Sequence, residues 1–239
     1  MRNDDPLAIA GVTAIHTGDL ATLERLLAEN PDLANAKIEG RRGGYRTPLH
    51  AVTDWPGYFP NGPAVVRLLL AHGADANGGA EGFGRQETPL HWAASSDDVD
   101  VAEALIEGGA DIEAPGGSIA DGSPLDNAVG YGCWRVARLF IQRGARVDKL
   151  WHAAALGLLG RTEELLQSAS TEEINNAFWQ ACHGGQRRAA ELLLGHGADL
   201  NWVPDYAKGT PLDLAGSIDT GRQALVSWLK ERGARSAGG

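Results

Sequence analysis

The chain has 239 residues, 43% of them apolar and 22% charged, which is the composition of a folding chain and excludes an expanded, disordered one. A net charge of −10 repels phosphate backbones, so nucleic acid is not an expected partner, and no apolar run approaches the roughly 20 residues of a membrane span. Two cysteines, Cys133 and Cys182, have neither metal-ligand spacing nor a disulfide framework, and the polar start Met1-Arg-Asn-Asp-Asp-Pro has no apolar signal core behind it; both fit a cytoplasmic protein.

In chain order, Ala14-Ile-His-Thr-Gly-Asp-Leu before Leu26-Leu27 predicts a first pair of short helices. Thr47-Pro-Leu-His-Ala opens a second pair, closed by Val65-Val-Arg-Leu-Leu-Leu-Ala-His-Gly-Ala-Asp-Ala-Asn. Thr88-Pro-Leu-His-Trp-Ala-Ala and Val101-Ala-Glu-Ala-Leu-Ile-Glu-Gly-Gly-Ala-Asp-Ile-Glu repeat both elements. Ser123-Pro-Leu-Asp-Asn-Ala and Thr210-Pro-Leu-Asp-Leu-Ala open two more pairs. Between them, Asp148-Lys-Leu-Trp-His-Ala-Ala stands before Leu165-Leu166, and Asn176-Ala-Phe-Trp-Gln-Ala-Cys before Leu193-Leu194. The starts Thr47, Thr88, Ser123, Asp148, Asn176 and Thr210 are 41, 35, 25, 28 and 34 residues apart.

Each unit reads mechanically. Thr or Ser caps the first helix, and Pro occupies its first turn, where no amide donor is needed. The Leu pairs bury the second helix, and Gly73, Gly109, Gly144, Gly197 and Gly233 end it in a left-handed conformation. No unit can bury its apolar face alone, so neighbours must stack.

The two elements at this offset resemble the ankyrin repeat, whose period is about 33 residues. The resemblance implies an all-α solenoid of about seven helix-turn-helix units with short finger loops, in one domain spanning 1–239. Residues 1–36 would cap the N-terminus, 37–204 form the internal repeats and 205–235 cap the C-terminus. It also implies that His50 and His91 brace neighbouring units. The spacing predicts that the fourth and fifth units lack fingers, because Arg143-Gly-Ala-Arg-Val-Asp runs straight into Leu150-Trp-His. A gap in the finger row, flanked by long loops, can become a pocket.

The first full unit carries an insertion, Asp54-Trp-Pro-Gly-Tyr-Phe-Pro-Asn-Gly-Pro, whose aromatics either pack on the scaffold or bind something. The adjacent basic pairs Arg41-Arg42 and Arg187-Arg188 are read as solvated surface. By the family's register, the concave groove receives Arg46, Glu87 and Asn175, which precede first helices, and His16, Asp54, Trp55, Ser95, Tyr131 and His183, which follow their paired small residues. Trp92, Trp151 and Trp179 lie on the same helices, and Phe59 lies in the insertion.

Two functions follow. The resemblance implies a binding module that recognises a protein partner through the groove and fingers, with Arg46, Asp54, Trp55, Phe59, Glu87, Trp92, Ser95, Tyr131, Trp151, Trp179 and His183 as the candidate surface. The alternative is a small-molecule-binding protein or cofactor-free enzyme, an isomerase, cyclase, lyase or hydrolase, using Asp54, Glu87, His183 and His16 as acid–base groups. No phosphate loop, nucleophile elbow or metal motif is present, so no cofactor and no metal are expected. Cys182 beside His183 occupies a small-residue core position and is expected to pack. The stretches Thr53-Asp-Trp-Pro-Gly, Phe59-Pro-Asn-Gly-Pro, Thr88-Pro-Leu-His-Trp-Ala-Ala-Ser-Ser-Asp-Asp, and Phe178-Trp with Ala181-Cys-His-Gly-Gly are similar to those of actinobacterial ankyrin-repeat proteins of like length, which implies the same fold and a bacterial cytoplasm.

Overall fold

A computed structural model describes residues 1–40, 43–82, 86–216 and 222–238. The pair Arg41-Arg42 therefore lies outside the described residues, whereas Arg187 and Arg188 are exposed as expected. Contacts divide the chain into two compact units, 1–145 and 146–239.

The first unit begins with α1 (Pro6–Thr17), α2 (Leu20–Glu29) and a single 3-10 turn, Pro31–Asn35. A finger follows in which β1 (Ile38–Glu39) pairs antiparallel with β2 (Tyr45–Arg46), Ile38 opposite Arg46. Then come α3 (Pro48–Thr53) with α4 (Gly62–Ala71), α5 (Pro89–Ser95) with α6 (Val99–Glu107), and α7 (Pro124–Gly130) with α8 (Trp134–Gln142). First helices stack on first helices, α1 on α3 on α5 on α7, and second helices likewise, α2 on α4 on α6 on α8. Ile15, Leu23, Leu27, Leu49, Leu69, Leu90, Leu105, Leu125 and Phe140 form the dry seam between the two layers.

The second unit contains α9 (Leu150–Ala155), α10 (Leu159–Leu166), α11 (Thr171–His183), α12 (Arg187–Gly195), α13 (Pro211–Gly216) and α14 (Gln223–Glu231). Its core joins Leu150, Leu166, Phe178, Cys182, Leu193, Leu225, Trp228 and Leu229. At its centre α9 and α11 approach so closely that a Cβ on Gly184 would lie 2.0 Å from the Ala155 carbonyl oxygen. The described residues thus form seven helix pairs, an all-α repeat architecture with one two-stranded finger, and the turns before α9 and α11 carry no finger.

The repeated motifs act as hydrogen-bonding devices. Thr47 and Thr88 cap α3 and α5 reciprocally with His50 and His91, and Ser123 caps α7 with Asp126. The Thr47 amide donates to His50 Nδ1, so the proton sits on Nε2, which donates to the Glu87 carbonyl at 2.9 Å. His91 makes the same bond to the Gly122 carbonyl at 3.1 Å. In the Gly-Ala-Asp-x-Asn segments, Asp75 accepts from the Asn77 amide within its own turn, while Asn77 Oδ1 accepts from the Asp111 amide of the next unit at 2.7 Å. Asn35 bonds Asp75 in the same way, and Asn201 bonds Arg235. Gly73, Gly109, Gly144, Gly197 and Gly233 all take positive φ, as their helix ends require.

One boundary differs from the sequence reading. The first helix of the fifth repeat starts at Thr171, five residues before Asn176. Ser170 and Glu173 form a capping box there, with Glu173 Oε2 accepting from both the Ser170 amide and hydroxyl at 2.8 Å, so the helix is nucleated earlier than the motif alignment indicates. Asn175, expected to precede that helix and face the groove, is instead buried inside it and accepts from the Asp199 amide at 2.7 Å.

Candidate functional site

In the first unit, the candidate residues gather around the loop between α3 and α4. Asp54, the C-cap of α3, forms an ion pair with Arg46 at the end of β2, and both side chains are largely covered. The Asp54 carbonyl accepts from the Gly57 amide at 2.7 Å, closing a tight turn that throws Trp55 outward. Trp55 is 82% exposed, the most exposed large apolar residue described.

The remainder of this loop is fastened on both sides. Towards the N-terminal helix pair, Phe59 stacks on the His16 ring, centroids 4.2 Å apart and nearly parallel, and Asn61 Nδ2 donates to the Gly18 carbonyl at 2.9 Å. His16 Nε2 also sits 3.1 Å from the Ala51 carbonyl. Towards the following repeat, the Tyr58 amide donates to Asp98 Oδ2 at 2.7 Å, and the Tyr58 hydroxyl donates to the Asp97 carbonyl. Arg135, one repeat further on, donates to the Tyr58 hydroxyl at 3.0 Å and lies 6.0 Å from its ring centre. Asp97 Oδ1 accepts from the Arg135 and Val136 amides at the start of α8. Tyr58, Asn61 and Asp97 all hold positive φ, a conformation that costs a non-glycine residue about 1–2 kcal/mol. The side-chain bonds of each compensate that cost.

Glu87 begins a second network. Its Oε1 accepts from the Ser118 amide and from Asn127 Nδ2, both at 2.8 Å. Asn127 reaches Ser95 Oγ at 3.3 Å, and Ser95 donates to the His91 carbonyl at 3.0 Å. The Ser118 hydroxyl lies 3.1 Å from that of Tyr131, whose ring is half in solvent. Trp92 is partly buried, its ring edge-on to His50.

In the second unit, His183 Nδ1 lies 3.3 Å from Gln180 Oε1, and the His183 carbonyl accepts from Arg222 at 2.6 Å. Burial, reinforced by the nearby guanidinium, lowers the His183 pKa from its usual 6.5 to about 4. Trp179 is buried, and its indole N–H donates to the Gly209 carbonyl at 2.9 Å. That is the bracing bond that His50 and His91 make elsewhere, so this candidate binding residue is a structural donor. Trp151 packs edge-on against its buried neighbour His152.

These partners limit the available chemistry. Asp54 is neutralised by Arg46, Glu87 is held by two donors, and the His16 ring is covered on one face. Burial lifts the Cys133 thiol to about 11 and the Cys182 thiol further still, so neither supplies a thiolate at neutral pH. Among the described residues, no group of three His, Cys, Asp or Glu is placed to hold a metal ion, and no helix is long and apolar enough to cross a membrane.

Sequence reading gave no partner to Tyr58, Asn61, Asp97, Asp98 or Asn127, and did not single out Arg135. Asp98 carried a visible signal, an Asp just before the apolar helix that it caps through the Val101 amide. Arg135 carried none, being 77 residues from Tyr58 in sequence.

A profile of the family described as Ankyrin repeats matches residues 11–115 and 61–149. Among curated proteins, the Ankyrin repeat and KH domain-containing protein mask-1 of Caenorhabditis elegans is 29% identical over 211 residues, 84% of this chain. The chain spans only 8% of the length of that relative. Among solved structures, the human ASB11 ankyrin repeat domain is similar in fold, with a TM-score of 0.54 and 23% identity over 93% of this chain and 97% of that one. Stacked helix pairs, bracing donors, Asn bridges and a profile match over more than half of its length together place this chain in the ankyrin-repeat family.

Proposed function

We propose that this chain binds a protein partner through the groove of its first unit, with the loop between α3 and α4 as the anchor. Ankyrin repeats are generally protein–protein interaction modules, and the observation that carries this finer reading is Trp55. It is 82% exposed on a loop bonded to the repeats before and after it. A large aromatic held out by a stiff loop loses little freedom when a partner covers it, which is the economy of a binding hot spot. Tyr45, Tyr58 and Tyr131, each about half exposed, extend the aromatic surface, with Arg46, Asp54 and Glu87 beside it. The same reading takes residues 1–36 and 205–235 as terminal caps.

The partner is best sought among basic proteins. Residues 1–145 contain 11 Lys and Arg against 20 Asp and Glu, a net charge of −9, while 146–239 carry 10 against 11. Such a field speeds encounter with a positive surface and repels an acidic one. The alternative of acid–base chemistry on a small molecule draws no support from Asp54, Glu87 and His16, whose carboxylates and ring nitrogen are engaged in structural bonds.

Affinity capture from source-cell extract, with Trp55→Ala alongside, tests the reading. A protein retained by the wild type, then purified and titrated, should bind Trp55→Ala about 30-fold more weakly, the loss of roughly 2 kcal/mol expected of a hot-spot residue. Equal retention by both forms, with unchanged thermal midpoints, would refute it.

A further inference from the structure

In the first unit, neighbouring fingers support each other. The Tyr45 amide donates to the Glu81 carbonyl at 2.7 Å, and the Glu81 amide donates back at 2.9 Å. The approach is close enough that a Cβ on Gly82 would lie 2.6 Å from Gly44 Cα. The second unit treats its finger differently. The turns before α9 and α11 carry none, so the finger at 200–209 stands beside the first turn of α11 across open space. That space is a cleft of about 440 Å³.

One wall is aromatic and the other acidic. Trp202, Pro204 and Tyr206 face the cleft from the finger, and Glu172 and Glu173 from α11, with Asp205 on the finger side. The Tyr206 hydroxyl donates to Asn176 Oδ1 at 2.7 Å, which fixes its ring as a wall although 65% of the residue is exposed. Glu173 uses one oxygen to cap Ser170, while Glu172 and Asp205 are exposed. The lining contains three carboxylates and no basic residue, although the whole unit is nearly neutral. An aromatic face beside carboxylates favours a cation, and a planar guanidinium suits it better than an ammonium because it stacks on the ring while pairing with the carboxylate.

A second cleft of about 390 Å³ adjoins the first and shares Glu173 and Asn176 with it. Its lining includes the apolar Trp151 and Leu165 together with Asp148 and Lys149, whose Nζ lies 6.0 Å from the Trp151 ring centre. An extended segment laid across both would place a cationic side chain in the first and an apolar one in the second.

We propose that the finger-side cleft of the second unit binds an arginine side chain carried on an extended segment of a partner protein, with an adjacent apolar residue seated against Trp151. This site is separate from the Trp55 surface and does not depend on it.

The test uses the full chain and three blocked nonapeptides. One has a central arginine with a leucine two residues away, one has citrulline in place of the arginine, and one has glutamate there. Binding is read by calorimetry and by the indole N–H resonances of the tryptophans. The arginine peptide should bind, with affinity falling as salt rises, and the citrulline peptide should bind at least about ten-fold more weakly because it keeps the shape and loses the charge. Trp202→Ala should weaken binding by about ten-fold or more. The Glu172→Gln, Asp205→Asn double variant, conservative and at exposed positions, should do the same while keeping the wild-type thermal midpoint. Trp55→Ala should bind the arginine peptide as the wild type does, so this site can fail or stand independently of the proposed groove. Equal affinity for arginine and citrulline peptides, binding unaffected in both cleft variants, or no binding up to millimolar peptide would each overturn the proposal.

Discussion

Asp98→Ala separates a loop held in place from one that merely rests on the surface. Asp98 is 2% exposed and makes two bonds. Its Oδ2 accepts from the Tyr58 amide at 2.7 Å, and its Oδ1 caps α6 through the Val101 amide at 3.2 Å. Loss of an N-cap costs about 1 kcal/mol. Loss of a charged acceptor for a covered amide costs about 1.5–3 kcal/mol. Together the change amounts to about 3 kcal/mol, which for a chain of this size lowers the thermal midpoint by roughly 6–12 °C. Asn at this position keeps one acceptor oxygen, so Asp98→Asn should fall between wild type and Asp98→Ala.

The assay combines thermal unfolding with amide hydrogen exchange. In the wild type the Tyr58 amide should exchange slowly, because its acceptor is a buried carboxylate. In Asp98→Ala it should exchange at least about ten-fold faster, as expected for local opening of a segment that has lost its anchor. A partner that contacts Trp55 should then bind more weakly although Asp98 itself is covered, since the loop must be ordered on binding. An unchanged midpoint together with unchanged exchange at Tyr58 would refute the claim that Asp98 holds the loop.

Three further outcomes are expected. Burial depresses the His50 pKa from 6.5 to about 4, so the native state favours the neutral ring; its stabilising contribution is complete above pH 6.5 and is lost as the pH falls towards 4, by about 3 kcal/mol at most. Urea titrations at several pH values should therefore show a shallower acid loss across that window in His50→Gln than in wild type, and parallel curves would contradict this. Leu69→Ala and Leu193→Ala, both fully buried, should each lose about 2–5 kcal/mol in chemical denaturation, and a loss near zero at both would mean that the repeat register is wrong. Trp179→Phe keeps the ring but removes its N–H, leaving the Gly209 carbonyl unmet, so it should lose about 1–3 kcal/mol in the same assay while a Trp55→Phe control stays within about 0.5 kcal/mol.

The repeat units were legible because each motif residue acts locally or at a fixed offset. The Thr-Pro-Leu-His box folds back on its own cap, and the glycine after each second helix has one conformation to adopt. The absent fingers were legible from spacing alone. What could not be read was side-chain commitment. Arg46 does pair with Asp54, and Glu87 is linked to Ser95 through Asn127, but whether a carboxylate is available depends on a donor such as Arg46 or Asn127 lying in reach, 8 and 40 residues away. The early start of α11 was visible in Ser170-x-x-Glu173, but it was masked by aligning on the later Trp-containing motif.

One repeated position shows how residue type separates structure from function here. The fourth residue of each box is His50, His91, Asp126, Trp151, Trp179 or Asp213. The acceptor waiting for it is the carbonyl just before the next unit's cap, which only an N–H donor of sufficient length can reach. His50, His91 and Trp179 all do so, at 2.9–3.1 Å. Asp has no proton to give, and Asp126 and Asp213 turn back to accept from their own cap amides at 2.8 and 2.9 Å. Trp179 is therefore consumed by the scaffold however conspicuous it is in the sequence, whereas Trp151 at the same position lines the second cleft. Trp55 and Tyr58 lie outside every such repeated position, in an inserted loop, and no stacking rule accounts for their exposure. Trp55 is exposed on a loop that Tyr58 and Asn61 hold at positive φ, and this supports the proposed contact there with a partner.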